Sequence, residues 1–252
     1  MAIFIATLFF YFLVTIPFLP FLSRGNRKAR FFLIHLLQNF CRFGLLFMQV
    51  KVKRHDPSQY LPQFSNGLIV CNHMSYLDVL VLYSQMPSCF VTSQEIRETP
   101  FLGQLCLLAG CLFVERRDKT NLSREVKELS QAMESGLSVT IFPEATSTDG
   151  SEVIRFRRPL FQSAIDAKKP ILAMTLNYKS VSGAPVTKEN RDLLCWYGDM
   201  SFLPHLWNFF KQSHVEAEIL IGSLMNIKLD FDTAALAEQS HKIVSSQFKA
   251  FR

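Results

Sequence analysis

Gly67-Leu68-Ile69-Val70-Cys71-Asn72-His73-Met74-Ser75-Tyr76-Leu77-Asp78 passes from an apolar run, through a polar word, into a second apolar register. The unbroken run up to Cys71 predicts a buried strand ending at Asn72. The apolar positions from Leu77 to Leu82 suit a helix. His73 therefore lies at a strand-to-helix turn, and such a turn brings Asp78, five residues on, back towards the imidazole. A carboxylate there fixes the tautomer that leaves the other ring nitrogen free to accept a proton. Alone, the N-H-x4-D spacing arises easily by chance; its weight comes from its surroundings.

Outward from this stretch the alternation repeats. Thr99-Pro100 predicts an N-cap followed by proline at the first helical position, opening a helix to about Ala109. Cys111 to Val114 reads as a short strand, Asn121 to Met133 as an amphipathic helix, and Val139 to Phe142 as a strand closed by Pro143. Pro170 to Tyr178 and His214 to Ile221 read as further strands, and Asp232 caps a tail helix running to Phe251. Strands alternating with helices predict an α/β fold, a mostly parallel or mixed sheet flanked by helices.

Residues 2–22 carry no charge, a length sufficient to cross a bilayer, although Pro17 and Pro20 interrupt the far end. No basic residue precedes the stretch and no small-x-small site follows it, so a cleaved signal peptide is not expected. Arg24, Arg27, Lys28 and Arg30 come next and predict a cytoplasmic flank. From Phe31 to Val50 the apolar run is broken at helical spacing by His35, Gln38, Asn39 and Arg42, the pattern of an interfacial helix. Two arrangements fit: one span plus one surface helix, or a helical hairpin dipping into one leaflet. Residues 1–50 are thus read as membrane-anchoring helices and 51–252 as the soluble unit, facing the cytoplasm.

The chain has 252 residues, 49% hydrophobic and only 19% charged, with 24 phenylalanines and a formal net charge of +6. That is greasier than an ordinary soluble domain and far short of a polytopic membrane protein. The positive balance favours anionic partners: lipid headgroups, phosphates, coenzyme A or an acidic carrier protein. No run of five basic residues and no recognition motif supports nucleic acid. Cys41, Cys71, Cys89, Cys106, Cys111 and Cys195 form no C-x-x-C pair, which predicts free buried thiols and no metal site. His35, His55, His205, His214 and His241 lack the sequence neighbours of a catalytic or metal centre. No G-x-S-x-G occurs, so a serine nucleophile is not expected.

Three further blocks accompany the His73 word: Phe113-Val114-Glu115-Arg116, then Phe142-Pro143-Glu144-Ala145-Thr146-Ser147-Thr148-Asp149-Gly150, then Lys169-Pro170-Ile171-Leu172-Ala173-Met174. Arg116 follows His73 by 43 residues, and Glu144 follows Arg116 by 28. In order and interval these blocks resemble the glycerolipid acyltransferase family, whose members acylate lysophosphatidate and other lysophospholipids. The resemblance reaches from the N-terminal helices to about Tyr178. It implies an acyltransferase domain over 51–252 and favours the monotopic hairpin.

By this resemblance His73 is the base and Asp78 its orienting partner. Asn72, Arg116, Glu144 and Thr146 shape the acceptor site, with Lys119 assisting and Arg117 either assisting or solvated. The family's third block usually reads F-P-E-G-T-R-S. Here Ala145 stands where glycine is expected and Ser147 where arginine is expected, which removes a bidentate anion clamp. Phe156-Arg157-Arg158-Pro159 is similar to an F-K-K-G segment of relatives, so Arg157 or Arg158 is the expected replacement. The substituted block, together with Trp196-Tyr197-Gly198-Asp199-Met200 and Leu203-Pro204-His205-Leu206-Trp207, resembles a lyso-ornithine lipid acyltransferase subgroup. Trp196 and Tyr197 line the pocket, belt the membrane surface or pack in the core.

The implied activity moves a fatty acyl group from acyl-CoA or acyl-carrier protein, used as substrate with no cofactor, to a lysolipid hydroxyl. The first acceptor is 1-acyl-glycerol-3-phosphate, giving phosphatidate, and the alternative is a lyso-ornithine aminolipid. Attack is direct, without an acyl-enzyme. The implied setting is a membrane (the inner one, if the chain is bacterial) with membrane lipids as partners. Two other classes compete: a lipid hydrolase using His73 and Asp78 on water, and a non-catalytic membrane lipid-binding protein.

Overall fold

A computed structural model describes residues 2–23, 26–99, 102–115, 121–227 and 231–252. In chain order the elements begin with α1 (Ala2–Thr15), a 3₁₀ turn (Ile16–Phe18), α2 (Leu19–Ser23) and α3 (Arg27–Phe47). There follow β1 (Val50–His55), α4 (Tyr60–Gln63), β2 (Leu68–Cys71), α5 (Tyr76–Gln85), β3 (Cys89–Ser93), α6 (Gln94–Glu98), α7 (Leu102–Leu108), β4 (Leu112–Val114) and α8 (Leu122–Glu134). The remainder comprises β5 (Val139–Ile141), α9 (Gln162–Ala167), β6 (Ile171–Val181), β7 (Ala184–Pro185), α10 (Phe202–Phe209), β8 (Val215–Met225) and α11 (Thr233–Gln247).

The strands form one sheet in the order β1-β8-β6-β2-β5-β3-β4, with β7 a short addition to β6. β2 pairs in parallel with β5 and β6, and β3 in parallel with β5 and β4; only β8 and β7 run antiparallel to β6. The sheet is therefore mixed and mostly parallel, as expected. Central β2 is buried at every position, which explains its continuous apolar run: a strand covered on both faces cannot alternate. On β6 the Thr175 and Asn177 side chains hydrogen-bond α11, whereas the Tyr178 hydroxyl reaches α5 on the opposite face. Helices thus cover both faces, and the carboxyl ends of β2 and β5 lie side by side, the usual position for a site in such sheets.

The N-terminal helices fold back on one another. The Phe10 ring lies tilted 6.0 Å from Phe40 and Phe18 stacks on Phe32 at 5.3 Å, so α1 and the turn after it run antiparallel to α3. Leu33, Ile34, Leu37, Cys41 and Leu45 of α3 are buried in the same continuous core as the sheet. Each such side chain contributes about 1.5–3 kcal/mol by leaving water. The Tyr11 hydroxyl donates to Leu108 O at 2.9 Å and Arg42 Nε to Ser84 O at 2.9 Å, tying the hairpin to α7 and α5.

Of the two arrangements open for residues 2–22, the helix lengths bear on the bilayer span. The first helix stops at Thr15, where a 3₁₀ turn containing Pro17 begins. Fourteen residues make a helix of about 21 Å, against a hydrocarbon thickness of roughly 30 Å. Among the described residues no helix is long and apolar enough to cross a membrane.

Other boundaries moved for local reasons. Thr99 serves both neighbouring helices: its hydroxyl donates to Glu95 O at 2.9 Å and closes α6, while its carbonyl accepts the Gly103 N–H of α7 at 2.9 Å from extended backbone, as expected of an N-cap. The tail helix starts on Asp232 as expected, with Ala235 N donating to its carboxylate at 2.7 Å, but ends at Gln247. Phe251 then turns inward against Gly150, where any side chain would collide with its ring.

Candidate active site

His73 and Asp78 meet as the turn requires. His73 Nδ1 lies 2.8 Å from Asp78 Oδ2. The same oxygen accepts the backbone N–H groups of Met74 at 2.6 Å and Ser75 at 2.8 Å, while Oδ1 accepts the Tyr178 hydroxyl at 2.6 Å. A carboxylate surrounded by donors only accepts, so Nδ1 carries the hydrogen and Nε2 is the ring's free acceptor. Asp78 is fully buried, whereas 20% of the His73 side chain is exposed, so the base faces outward and its orienter inward. Burial first, then the Asp78 charge, push the Tyr178 pKa well above its ordinary value, which keeps that hydroxyl a donor.

Local sequence explains the geometry. Ser75 caps α5, and Asp78, three residues on, accepts the Ser75 N–H: a capping box. The residues that start the helix and the residues that hold the histidine are therefore the same. A signal for this, Ser75-x-x-Asp78, stands in the sequence.

The Phe142–Gly150 loop grips His73 from three directions. The Phe142 ring lies 4.0 Å from the imidazole at an interplanar angle of 11°. Glu144 Oε1 accepts the His73 N–H at 2.7 Å, and Thr148 donates to His73 O from both its N–H (2.9 Å) and its hydroxyl (3.1 Å). Glu144 Oε2 meanwhile accepts the Ile154 N–H at 2.9 Å. Ala145 sits between them at φ +59°, a left-handed conformation that suits glycine and costs an alanine about 1–2 kcal/mol.

Two expected ligand contacts are redirected by this packing. Both Glu144 oxygens are committed to backbone donors inside the protein, so Glu144 buttresses the His73 loop rather than opening towards a ligand. Asn72 is buried, donating to Leu176 O at 2.9 Å and accepting from Leu176 N at 2.8 Å, so its side chain extends the β2–β6 ladder past the end of β2. Thr146 is exposed on the same loop. Arg157 and Arg158 are exposed, and the Arg157 N–H donates to Pro143 O at 2.8 Å, which places that segment against the loop. Arg116, with Arg117 and Lys119, lies outside the described residues. The apolar Pro170–Met174 block is largely core: Ile171 to Met174 are buried in β6.

Burial raises the Glu144 carboxyl to about 7 from an ordinary 4.5; the His73 and Ile154 N–H groups pull against this rise and the Asp78 charge adds to it. The folded chain then holds this proton more tightly than the unfolded one, so the group's contribution is fully present below 4.5 and declines as pH rises through 7. The stability advantage of wild type over Glu144→Gln is expected to shrink between pH 5 and 8, by on the order of 1–3 kcal/mol. Urea unfolding at several pH values measures it, and an advantage that grows with pH contradicts this assignment.

Among the described residues, no activated thiol accompanies the pair. Cys71 adjoins Asn72 and Cys195 lies behind Tyr178, but burial pushes both thiols well up, and for Cys71 the Asp78 and Glu144 charges add to the rise. A thiol so disfavoured as thiolate does not attack. The arrangement instead offers an oriented base to an incoming hydroxyl. Neighbours that local reading missed come from distant segments. Tyr76 O–H lies 3.0 Å from His205 Nδ1, His205 Nε2 faces Cys195 O at 2.9 Å, and Trp196 N donates to Met74 O at 2.9 Å.

A family model described as Acyltransferase matches residues 51–177. A lyso-ornithine lipid O-acyltransferase of Rhizobium meliloti (strain 1021) is 26% identical over 215 residues, covering 82% of this chain and 71% of that protein. A 1-acyl-sn-glycerol-3-phosphate acyltransferase of Neisseria gonorrhoeae is 31% identical over 180 residues, covering 71% of this chain and 64% of that protein. The chain thus spans slightly under two thirds of the latter's length. The crystal structure of the 1-acyl-sn-glycerophosphate (LPA) acyltransferase PlsC from Thermotoga maritima superposes with a TM-score of 0.61 at 17% identity, covering 95% of this chain and 92% of that one. That likeness is one of fold.

Proposed function

Because the chain belongs to the Acyltransferase family, we propose that it transfers a fatty acyl group from a thioester donor, acyl-CoA or acyl-carrier protein, to the free hydroxyl of a lysolipid. The observation that carries the reading is His73, with Nδ1 tied to buried Asp78 and Nε2 left to accept. The acceptor hydroxyl attacks the thioester carbonyl carbon as His73 Nε2 takes its proton. The oxyanion collapses, the C–S bond breaks, and the imidazolium returns the proton to the departing thiolate. Asp78 stabilises the imidazolium in between, so a diacyl lipid and a free thiol result without a protein-bound acyl group.

The acceptor favoured first is 1-acyl-glycerol-3-phosphate. A lyso-ornithine aminolipid is the second reading, favoured by one observation: Ser147 stands where the phosphate-clamping arginine is expected. The N-terminal hairpin supports a monotopic seat in one leaflet with the site near the lipid surface. Phe9, Phe10, Leu13 and Ile16 on one arm, and Phe43, Leu46 and Phe47 on the other, stay about half exposed or more, and Arg27 and Lys28 are exposed at the opposite end of α3.

One experiment tests chemistry and setting together. The chain is mixed with vesicles carrying lysophosphatidate or lyso-ornithine lipid, then given a radiolabelled acyl thioester. Co-flotation with the vesicles and labelled diacyl lipid from at least one acceptor are expected. A chain that stays in solution contradicts the hairpin's role, and vesicle-bound chain with no diacyl product contradicts the activity.

A further inference from the structure

Ser147 leaves the third block without its expected cation, but the fold brings another to the same loop. Arg191 opens a 3₁₀ turn (Arg191–Leu193) far along the chain. Its Nη1 lies 2.8 Å from Asp149 Oδ2 and 2.8 Å from Ser151 Oγ, and its guanidinium sits 5.9 Å from the centre of the Tyr197 ring. Asp149 is two residues beyond Ser147 and next to Thr148, which bonds His73 O. Tyr197 follows Trp196, whose N–H bonds Met74 O. The guanidinium is therefore held between two segments that each grip the backbone at the catalytic turn.

The setting suits a ligand. Both short contacts use Nη1, and Nε lies a longer 3.9 Å from Asp192 Oδ1, so the five-donor fork keeps N–H groups for further oxygens. The Arg191 side chain is 19% exposed: fixed, yet reachable. Partial burial pulls the Asp149 carboxyl up, but hydrogen bonds from Ser151 and the Arg191 charge outweigh it, and its pKa falls below the ordinary value. Asp149 is thus an anion that competes with a ligand for the guanidinium, while Ser151 Oγ and the Tyr197 ring hold the guanidinium in place without it.

We propose that Arg191, held by Ser151 and the Tyr197 ring and masked by Asp149, forms the subsite that binds the anionic group of the acceptor headgroup, taking the role of the arginine that Ser147 replaces. This rests on the lysolipid acyltransferase reading. The shared chemistry is an anionic oxygen group, supplied by the phosphate of lysophosphatidate or the carboxylate of a lyso-ornithine lipid. A guanidinium serves either because its planar fork matches both.

The test compares full-length wild type, Arg191→Gln and Asp149→Asn, each assayed with lysophosphatidate and with lyso-ornithine lipid. Both substitutions break the same ion pair. A mere staple between segments would make the two variants alike; a headgroup subsite makes them opposite. Arg191→Gln is expected to raise the acceptor KM roughly ten- to hundredfold with kcat within about threefold. Asp149→Asn frees the guanidinium and is expected to lower KM. The acceptor on which the effect falls tells phosphate from carboxylate. Should Arg191→Gln fail to fold, Asp149→Asn still decides, because an unchanged or raised KM overturns the subsite. An active wild type whose two variants shift KM in the same direction overturns the subsite alone. A wild type inactive on every acceptor overturns the acyl-transfer reading and the subsite with it.

Discussion

His73→Ala is expected to lower kcat by roughly 10²–10⁴-fold while leaving the chain folded. The magnitude is that of a positioned general base. A hydroxyl is a poor nucleophile at neutral pH, and no thiol near the site is disposed to take over, since burial holds Cys71 and Cys195 protonated. The fold should survive because the imidazole is partly exposed and its backbone, not its ring, bonds Glu144 and Thr148. What is lost is one stacking contact with Phe142 and one of four donors to Asp78. Activity would be read by product formation and folding by thermal melting. A variant keeping more than about a tenth of wild-type kcat would remove His73 from the chemistry, since that loss falls short of a base's contribution.

Asp78→Ala is expected to have the largest effect on stability, on the order of 3–5 kcal/mol. The carboxylate is fully buried and accepts from His73 Nδ1, Met74 N, Ser75 N and Tyr178 Oη. Truncation strands these groups together and removes half of the α5 capping box. For a chain of this size the melting midpoint should fall by roughly 10 °C. Asp78→Asn separates stability from catalysis. Its amide oxygen still serves the three donors at Oδ2, and its NH₂ faces only Tyr178, whose hydroxyl rotates to accept. The melting midpoint should therefore fall less than in Asp78→Ala. The kcat should still drop by about 10²-fold or more, because no negative charge remains to stabilise the imidazolium. Equal melting midpoints for Asp78→Ala and wild type would contradict the hydrogen-bond pattern.

The dyad was legible because all of it lies between His73 and Asp78, where one turn of backbone fixes the geometry. Central strands were legible for a related reason: β2, β5 and β6 are buried on both faces and so write themselves as apolar runs. β1 was not, since Val50-Lys51-Val52-Lys53-Arg54-His55 is an edge strand with only Val50 buried, and its composition resembles a loop. The same limit hid most of the site. Tyr178 reaches Asp78 only because β6 lies beside β2, a neighbour relation that no local pattern encodes. Glu144 and Asn72 were visible as residues, but not their commitment to the backbone of His73, Ile154 and Leu176. Arg191 carries no local signal at all; only the folded chain sets it beside Asp149.

The most direct test of acyl transfer by the His73–Asp78 pair is to count both products of one reaction. The chain is given an acyl thioester and a lysolipid, and free thiol, diacyl lipid and free fatty acid are quantified together for wild type and His73→Ala. The account predicts one diacyl lipid per thiol released, negligible fatty acid, and loss of both products in the variant. Thiol release matched by free fatty acid, or diacyl lipid formed as fast without His73, would contradict it.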